Sequence, residues 1–166
     1  MNNKKNIHTI SLLVANKPGV LVRVALVFAR RGYNIDALVV SPSFNPKYST
    51  MTITASGKPE TLEQIIKQAG KLVDVIHSCE HTGVEAIHRE LALVKVKNVS
   101  SNKAIIARLV KKFSAKIVEE DIKTIIIGQA GTTSELDEFE AIIKKYGVIE
   151  MVRSGKLVMT KGKQAT

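Results

Sequence analysis

The sequence predicts an α+β chain built from two tandem ferredoxin-like domains, each in the order β-α-β-β-α-β. Three observations predict it. Two segments, "HTISLLVA" and "YSTMTITAS", alternate apolar and polar residues with the period of a strand. Between and after them the apolar residues switch to helical spacing. The same order of elements then returns in the second half, in element type and not in residue identity. We place the first domain at 1–80, the second at 84–160 and a tail at 161–166.

The elements follow in order. In the first strand Ile10, Leu12 and Val14 face one side, Thr9 and Ser11 the other. From Pro18 to Arg31 a helix carries Val20, Leu21, Val24, Ala25 and Phe28 as one stripe, with Pro18 and Gly32 as its punctuation. "YNIDALVVS" is a strand, "SPSFNP" a turn, and in "YSTMTITAS" Met51, Ile53 and Ala55 oppose Thr50, Thr52 and Thr54. A helix from about Pro59 presents Leu62, Ile65, Ile66, Ala69 and Leu72, and Val73 to Glu80 closes the unit as a strand. After "HTGVE" come the strand "RELALVKVK", a helix over 101–113 through Ile105, Ile106, Leu109, Val110 and Phe113, and paired strands in "AKIVEED" and "KTIIIGQAG". A helix over 133–146 runs through Leu136, Phe139, Ile142, Ile143 and Tyr146, capped by Thr132, Thr133 or Ser134. "VIEMVRSG" is the last strand.

Composition narrows the function classes. Apolar residues are 45% and charged residues 24% of the 166, which is globular and not disordered. No apolar run reaches the roughly 18 residues of a membrane span, so no membrane partner is expected. The start "MNNKKN" runs into a strand-like segment and predicts no leader. One cysteine, Cys79, allows no internal disulfide framework and suits a reducing compartment. The expected location is a bacterial cytoplasm or a plastid stroma. The net charge of +10 comes from 25 basic against 15 acidic residues spread in pairs along the chain. Solvated helix ends explain that spread better than a nucleic-acid footprint.

The stretch "NKPGVLVRVALVFARRGYNID" carries the chemistry. The first N–H groups of a helix have no partner within it, and with the axial dipole they attract a carboxylate. Gly19 lets a ligand approach that backbone, and Asn16 supplies a donor and an acceptor. At the far end of the helix Asn34 offers a second amide beside apolar Ile35. An ordinary turn and helix stop would use the same residues, so the pattern alone leaves both readings open.

"ISLLVANKPGVLVRVALVFARRGYNIDALVVSPS" resembles the N-terminal ACT domain of the acetolactate synthase (acetohydroxyacid synthase) small, regulatory subunit. The family's Asn-x-x-Gly-x-Leu-x-Arg-Val and Phe-x-x-Arg-Gly-Tyr-Asn-Ile appear as Asn16, Gly19, Leu21, Arg23 and Val24, then Phe28, Arg31, Gly32, Tyr33, Asn34 and Ile35. The resemblance continues through "STMTI", "LEQIIKQAGKLVDVI", "HRELALVKV", "AGT" at 130–132 and "VRSGKLVMTKG". It departs at Thr50, where the family often has Arg. It implies a chain that is not an enzyme on its own. Its partner is the catalytic large subunit, which joins two 2-keto acids with thiamine diphosphate, magnesium and FAD on the way to valine, leucine and isoleucine. No cofactor is expected on this chain. The resemblance further implies activation of that partner, feedback inhibition by valine or a related amino acid, and a homodimer through the ACT domain. The effector would lie between the two copies against Asn16, Gly19, Val20, Leu21, Asn34 and Ile35.

Other sites are weaker. His77, Cys79 and His81 share one face of a strand, but no fourth ligand follows at a metal-site spacing. "GQAGT" lacks both phosphate-loop patterns. No nucleophile has a base nearby in sequence, so no catalytic residue is assigned. The alternative is an RNA- or DNA-binding ferredoxin-like module. "RGY" copies the opening of an RNA-recognition signature, then fails at Asn34, Ile35, Asp36 and Leu38, and aromatics are only 4%. No helix-turn-helix segment is evident.

Overall fold

The computed structural model of the chain describes residues 7–81 and 86–162. The expected start "MNNKKN", most of "HTGVE" and the last four residues of the expected tail lie outside them. The chain divides into two compact units. One ends at Ile87 and takes in the segment from Lys156; the other runs from His88 to Gly155.

The first unit runs β1 (Ile7–Ala15), α1 (Val20–Ala29), β2 (Asn34–Pro42), β3 (Tyr48–Ser56), α2 (Pro59–Ala69) and β4 (Val75–Glu80). Its antiparallel sheet has the order β2-β3-β1-β4. Strict alternation sets the register: Ile10 pairs Ile53 and Leu12 pairs Met51, so the apolar sets of two strands share a face. There Val20, Val24 and Phe28 of α1 and Leu62, Ile65 and Ala69 of α2 complete the core. The opposite face is buried as well: Thr9, Ser11, Thr52 and Thr54 are all covered. On that face Ser11 Oγ and His81 Nε2 lie 2.6 Å apart, a buried pair.

Two expectations change. The stripe of α1 is narrower than expected, since Leu21 is exposed and Ala25 only half-buried. A one-sided contact buries positions spaced by four and leaves their i+1 neighbours on the flank. The fourth strand begins at Val75 rather than Val73. Residues 70–74 form a turn in which the Val75 N–H donates to the Leu72 carbonyl at 2.9 Å and Asp74 is drawn inward by its carboxylate.

The second sequence of elements is β5 (Ala86–Lys97), α3 (Ser100–Lys112), β6 (Lys116–Glu120), β7 (Thr124–Gly131), α4 (Thr133–Ile143), a 3-10 turn (Lys144–Tyr146) and β8 (Val148–Arg153). The strand order is β6-β7-β5-β8, with a further strand, β9 (Leu157–Thr160), pairing with β5. Val94, Val96, Ile125, Ile127, Ile106, Leu109, Phe139 and Ile143 form its core. Phe113 meets Phe139 edge to face at 5.4 Å between centroids. Of the three cap candidates Thr132 is used, in a capping box with Glu135. Those hydrogen bonds from Thr132 lower the Glu135 pKa. Strand β9 lies beyond the expected last strand. Gly155, at φ 81°, makes the turn that admits it. Among the described residues no helix is long and apolar enough to cross a membrane.

Candidate functional site

The turn between β1 and α1 is held by three hydrogen bonds. The Asn16 N–H donates to the Lys47 carbonyl at 2.8 Å, and its side-chain Nδ2 donates to the Pro46 carbonyl at 3.0 Å. The Ala15 N–H donates to the Asp74 carbonyl at 2.8 Å. The β2–β3 and α2–β4 connections therefore both grip this turn. Gly19 precedes the helix at φ 81°, a conformation L side chains rarely adopt. The first helical bond is Arg23 N–H to the Gly19 carbonyl at 3.1 Å. The N–H groups of Leu21 and Val22, in the first turn, have no partner within the helix, and that of Val20 has only a long 3.5 Å approach to the Lys17 carbonyl. The Val20 side chain lies in the core.

Charge reinforces this end. The Arg23 guanidinium lies over Gly19, where an added Cβ would sit 3.1 Å from Nη1. Its Nη2 donates to Asp74 Oδ2 at 2.5 Å, and Lys17 Nζ reaches Asp74 Oδ1 at 3.0 Å. Asp74 is buried while its two partners reach into water. Hydrogen bonds from Lys17 and Arg23 hold its carboxyl below the usual value, against the cost of burial. Two cations on one carboxylate leave a net positive charge beside open N–H groups, which suits the acid end of a small ligand. Lys17, Arg23 and Asp74 are not singled out as site residues by sequence alone. The available signal was an acid inside the apolar run "KLVDVI".

The other candidates sit at the far end of α1. Asn34, exposed, donates from Nδ2 to Asp36 Oδ1 at 2.9 Å, and Ser56 Oγ donates to Asp36 Oδ2. Ile35 is half-buried against the core. The ten residues of α1 span about 15 Å, so one chain does not bring Asn16 and Gly19 to Asn34 and Ile35. Leu21 and Leu26 are exposed on the helix between them, and β2 is an unpaired edge of its sheet. Of the histidine–cysteine face, His81 is engaged with Ser11 while His77 points to solvent. Among the described residues no group of three His, Cys, Asp or Glu could hold a metal.

Comparison with known proteins agrees with this architecture. Residues 10–77 match the family described as "AHAS small subunit-like ACT domain", and residues 89–162 match "Small subunit of acetolactate synthase". The chain belongs to the acetolactate synthase small-subunit family. A member from Mycolicibacterium smegmatis, an acetolactate synthase small subunit, is 38% identical over 98% of this chain and 95% of its own. A probable acetolactate synthase small subunit from Archaeoglobus fulgidus is 39% identical over 93% and 97%. The crystal structure of the family member from Thermotoga maritima superposes with a TM-score of 0.86 at 36% identity, covering 95% of this chain and 99% of the other. The segment matched to the family's ACT domain includes both ends of α1 and this chain's Lys17, Arg23 and Asp74.

The cluster makes a pH prediction. Asp74 has a folded pKa below its ordinary 3.8. Its contribution to stability is therefore complete above that value and is lost as pH falls through the depressed one. Asp74→Asn should lower the melting temperature at pH 7, with the difference from wild type shrinking below about pH 4. A gap unchanged down to pH 2 would mean the ion pairs contribute nothing.

Proposed function

We propose that the chain is the regulatory, non-catalytic subunit of an acetolactate synthase. It binds valine or another branched-chain amino acid between two copies and passes that occupancy to the catalytic large subunit. The observation that carries this reading is the left-handed Gly19 turn, with open N–H groups lying under the Arg23 guanidinium. It supports capture of a free carboxylate. A two-fold dimer places residue i of one copy against j of the other, and j against i. Two antiparallel α1 helices would then bring each Gly19 turn to the other copy's Asn34 and Ile35. The exposed Leu21 and Leu26 and the free edge of β2 support that pairing. Leu21 and Ile35 would wall the branched side chain, and one methylene there is worth about 1–3 kcal/mol.

Regulation follows if the effector prefers one arrangement of the dimer, since a ligand with equal affinity for both shifts nothing. A coupling of about 1–3 kcal/mol changes affinity about 5- to 150-fold. The thiamine diphosphate, magnesium and FAD that the reaction uses belong, in this reading, to the large subunit.

The test is calorimetry of the isolated chain with valine, leucine and isoleucine. At least one should give heat of binding, and Asn16→Ala should weaken it about 10- to 150-fold, the worth of a hydrogen bond to a charged group. No heat from any of the three would overturn the effector reading. Co-purification with the large subunit, and activity with and without the effector, tests the rest.

A further inference from the structure

We propose that the β2–β3 loop is a docking element for the catalytic subunit, with the Phe44 ring as the anchor that enters an apolar socket rimmed by carboxylates. The inference rests on the regulatory reading above for the identity of the partner.

Phe44 is fully exposed, to 107% of the reference accessibility. A ring that extended into water is common on a floppy loop, but this loop is built. The Ser43 N–H donates to the Tyr48 carbonyl and the Tyr48 N–H to the Asn45 carbonyl, both at 3.0 Å. Ser43 Oγ donates to the Asn45 carbonyl at 3.1 Å and accepts from the Asn45 N–H at 3.2 Å. The Lys47 N–H donates to Asn45 Oδ1 at 3.1 Å. The two bonds from Asn16 to Pro46 and Lys47 then fasten the loop to the Gly19 turn. Binding a loop already ordered costs little conformational entropy, and an aromatic ring brings a large apolar area with few rotatable bonds.

The surroundings select the partner's chemistry. Lys17 and Arg23 both pair with Asp74 beside this turn, Lys47 lies exposed in the loop itself, and exposed Val73 adjoins Asp74. A complementary surface is acidic at its rim and apolar at its centre. A second copy of this chain is the poorer occupant. The end of α1 that a two-fold would bring near presents Asn34, Asp36 and Ser56 hydrogen-bonded to one another, which is no socket for a ring. The attachment through Asn16 also gives the loop a reason to respond to the effector. The amide that would bind the amino acid is the one that pins Pro46.

The experiment uses the full chain and the catalytic acetolactate synthase subunit of the same organism. Phe44→Ala should weaken their association at least about thirtyfold, with the melting temperature and the heat of valine binding unchanged. Phe44→Trp should restore most of the affinity. Wild-type affinity in Phe44→Ala overturns the proposal, as does a loss confined to self-association measured by sedimentation. A wild-type chain that binds valine but never the catalytic subunit overturns the docking proposal and leaves the effector site standing. If it binds neither, both readings fall.

Discussion

Gly19→Asp should leave the holoenzyme active and almost insensitive to its effector. The substitution is tolerable in the backbone, because Asp is among the few residues that visit left-handed φ, at a cost of about 1–2 kcal/mol. Its carboxylate would fall beside Arg23 Nη1, which lies 3.1 Å from the position of an added Cβ. There it takes the guanidinium and the open N–H groups for itself. A second carboxylate about 4 Å away meets a repulsion of about 4 kcal/mol at an effective dielectric of 20. Half of that still weakens effector binding about thirtyfold. Calorimetry with valine and inhibition curves of the reconstituted enzyme read the two sides of the claim. Undiminished inhibition would place the anion site elsewhere.

Arg153→Met should destabilise the chain by about 3 kcal/mol or more. Arg153 ends β8, and its Nε and Nη2 donate to Glu90 Oε2 at 3.2 and 2.7 Å. Asp137 accepts from Nη1 at 2.5 Å, and Glu140 lies at 3.5 Å. Burial alone would pull the guanidinium's pKa down, but the carboxylates of Asp137 and Glu90 outweigh it, so the group is held ionised. The Glu90 side chain is only 5% exposed, and its other oxygen accepts from Thr133. Removing the cation strands a buried carboxylate, which costs far more than the pair contributes. The double variant Glu90→Met with Arg153→Met should recover most of the loss in urea denaturation. A single variant as costly as the double would show that packing, not charge, is what matters there.

What could be read from the residues was local. Alternation in β1 and β3, the Leu62, Ile65 and Ala69 face of α2 and the presence of a hydroxyl cap among Thr132, Thr133 and Ser134 are each set by neighbours within a few positions, and each has the form expected. The exposed flank of α1 could not be read, because Leu21 and Val20 are equally apolar and only the tertiary contact chooses between them. The strand beginning at Val75 was displaced by a carboxylate that answers to Arg23, 51 positions earlier. Pairing of that kind has no period, so the cation cluster over Gly19 emerges only once β1, α1 and β4 are assembled. The same limit applies to Asn16 and Asn34. Their motif spacing is plain, but the length of α1 keeps them apart in one chain.

The return of the chain at Lys156 means that the first unit is interrupted in sequence. A gene fragment stopped near Ile87 would omit β9 and would not be equivalent to that unit. A chain cut at Gly155 would likewise shorten the first unit, because the segment from Lys156 belongs to it. Truncation from either side therefore reaches the first unit, whereas the stretch from His88 to Gly155 is continuous in sequence.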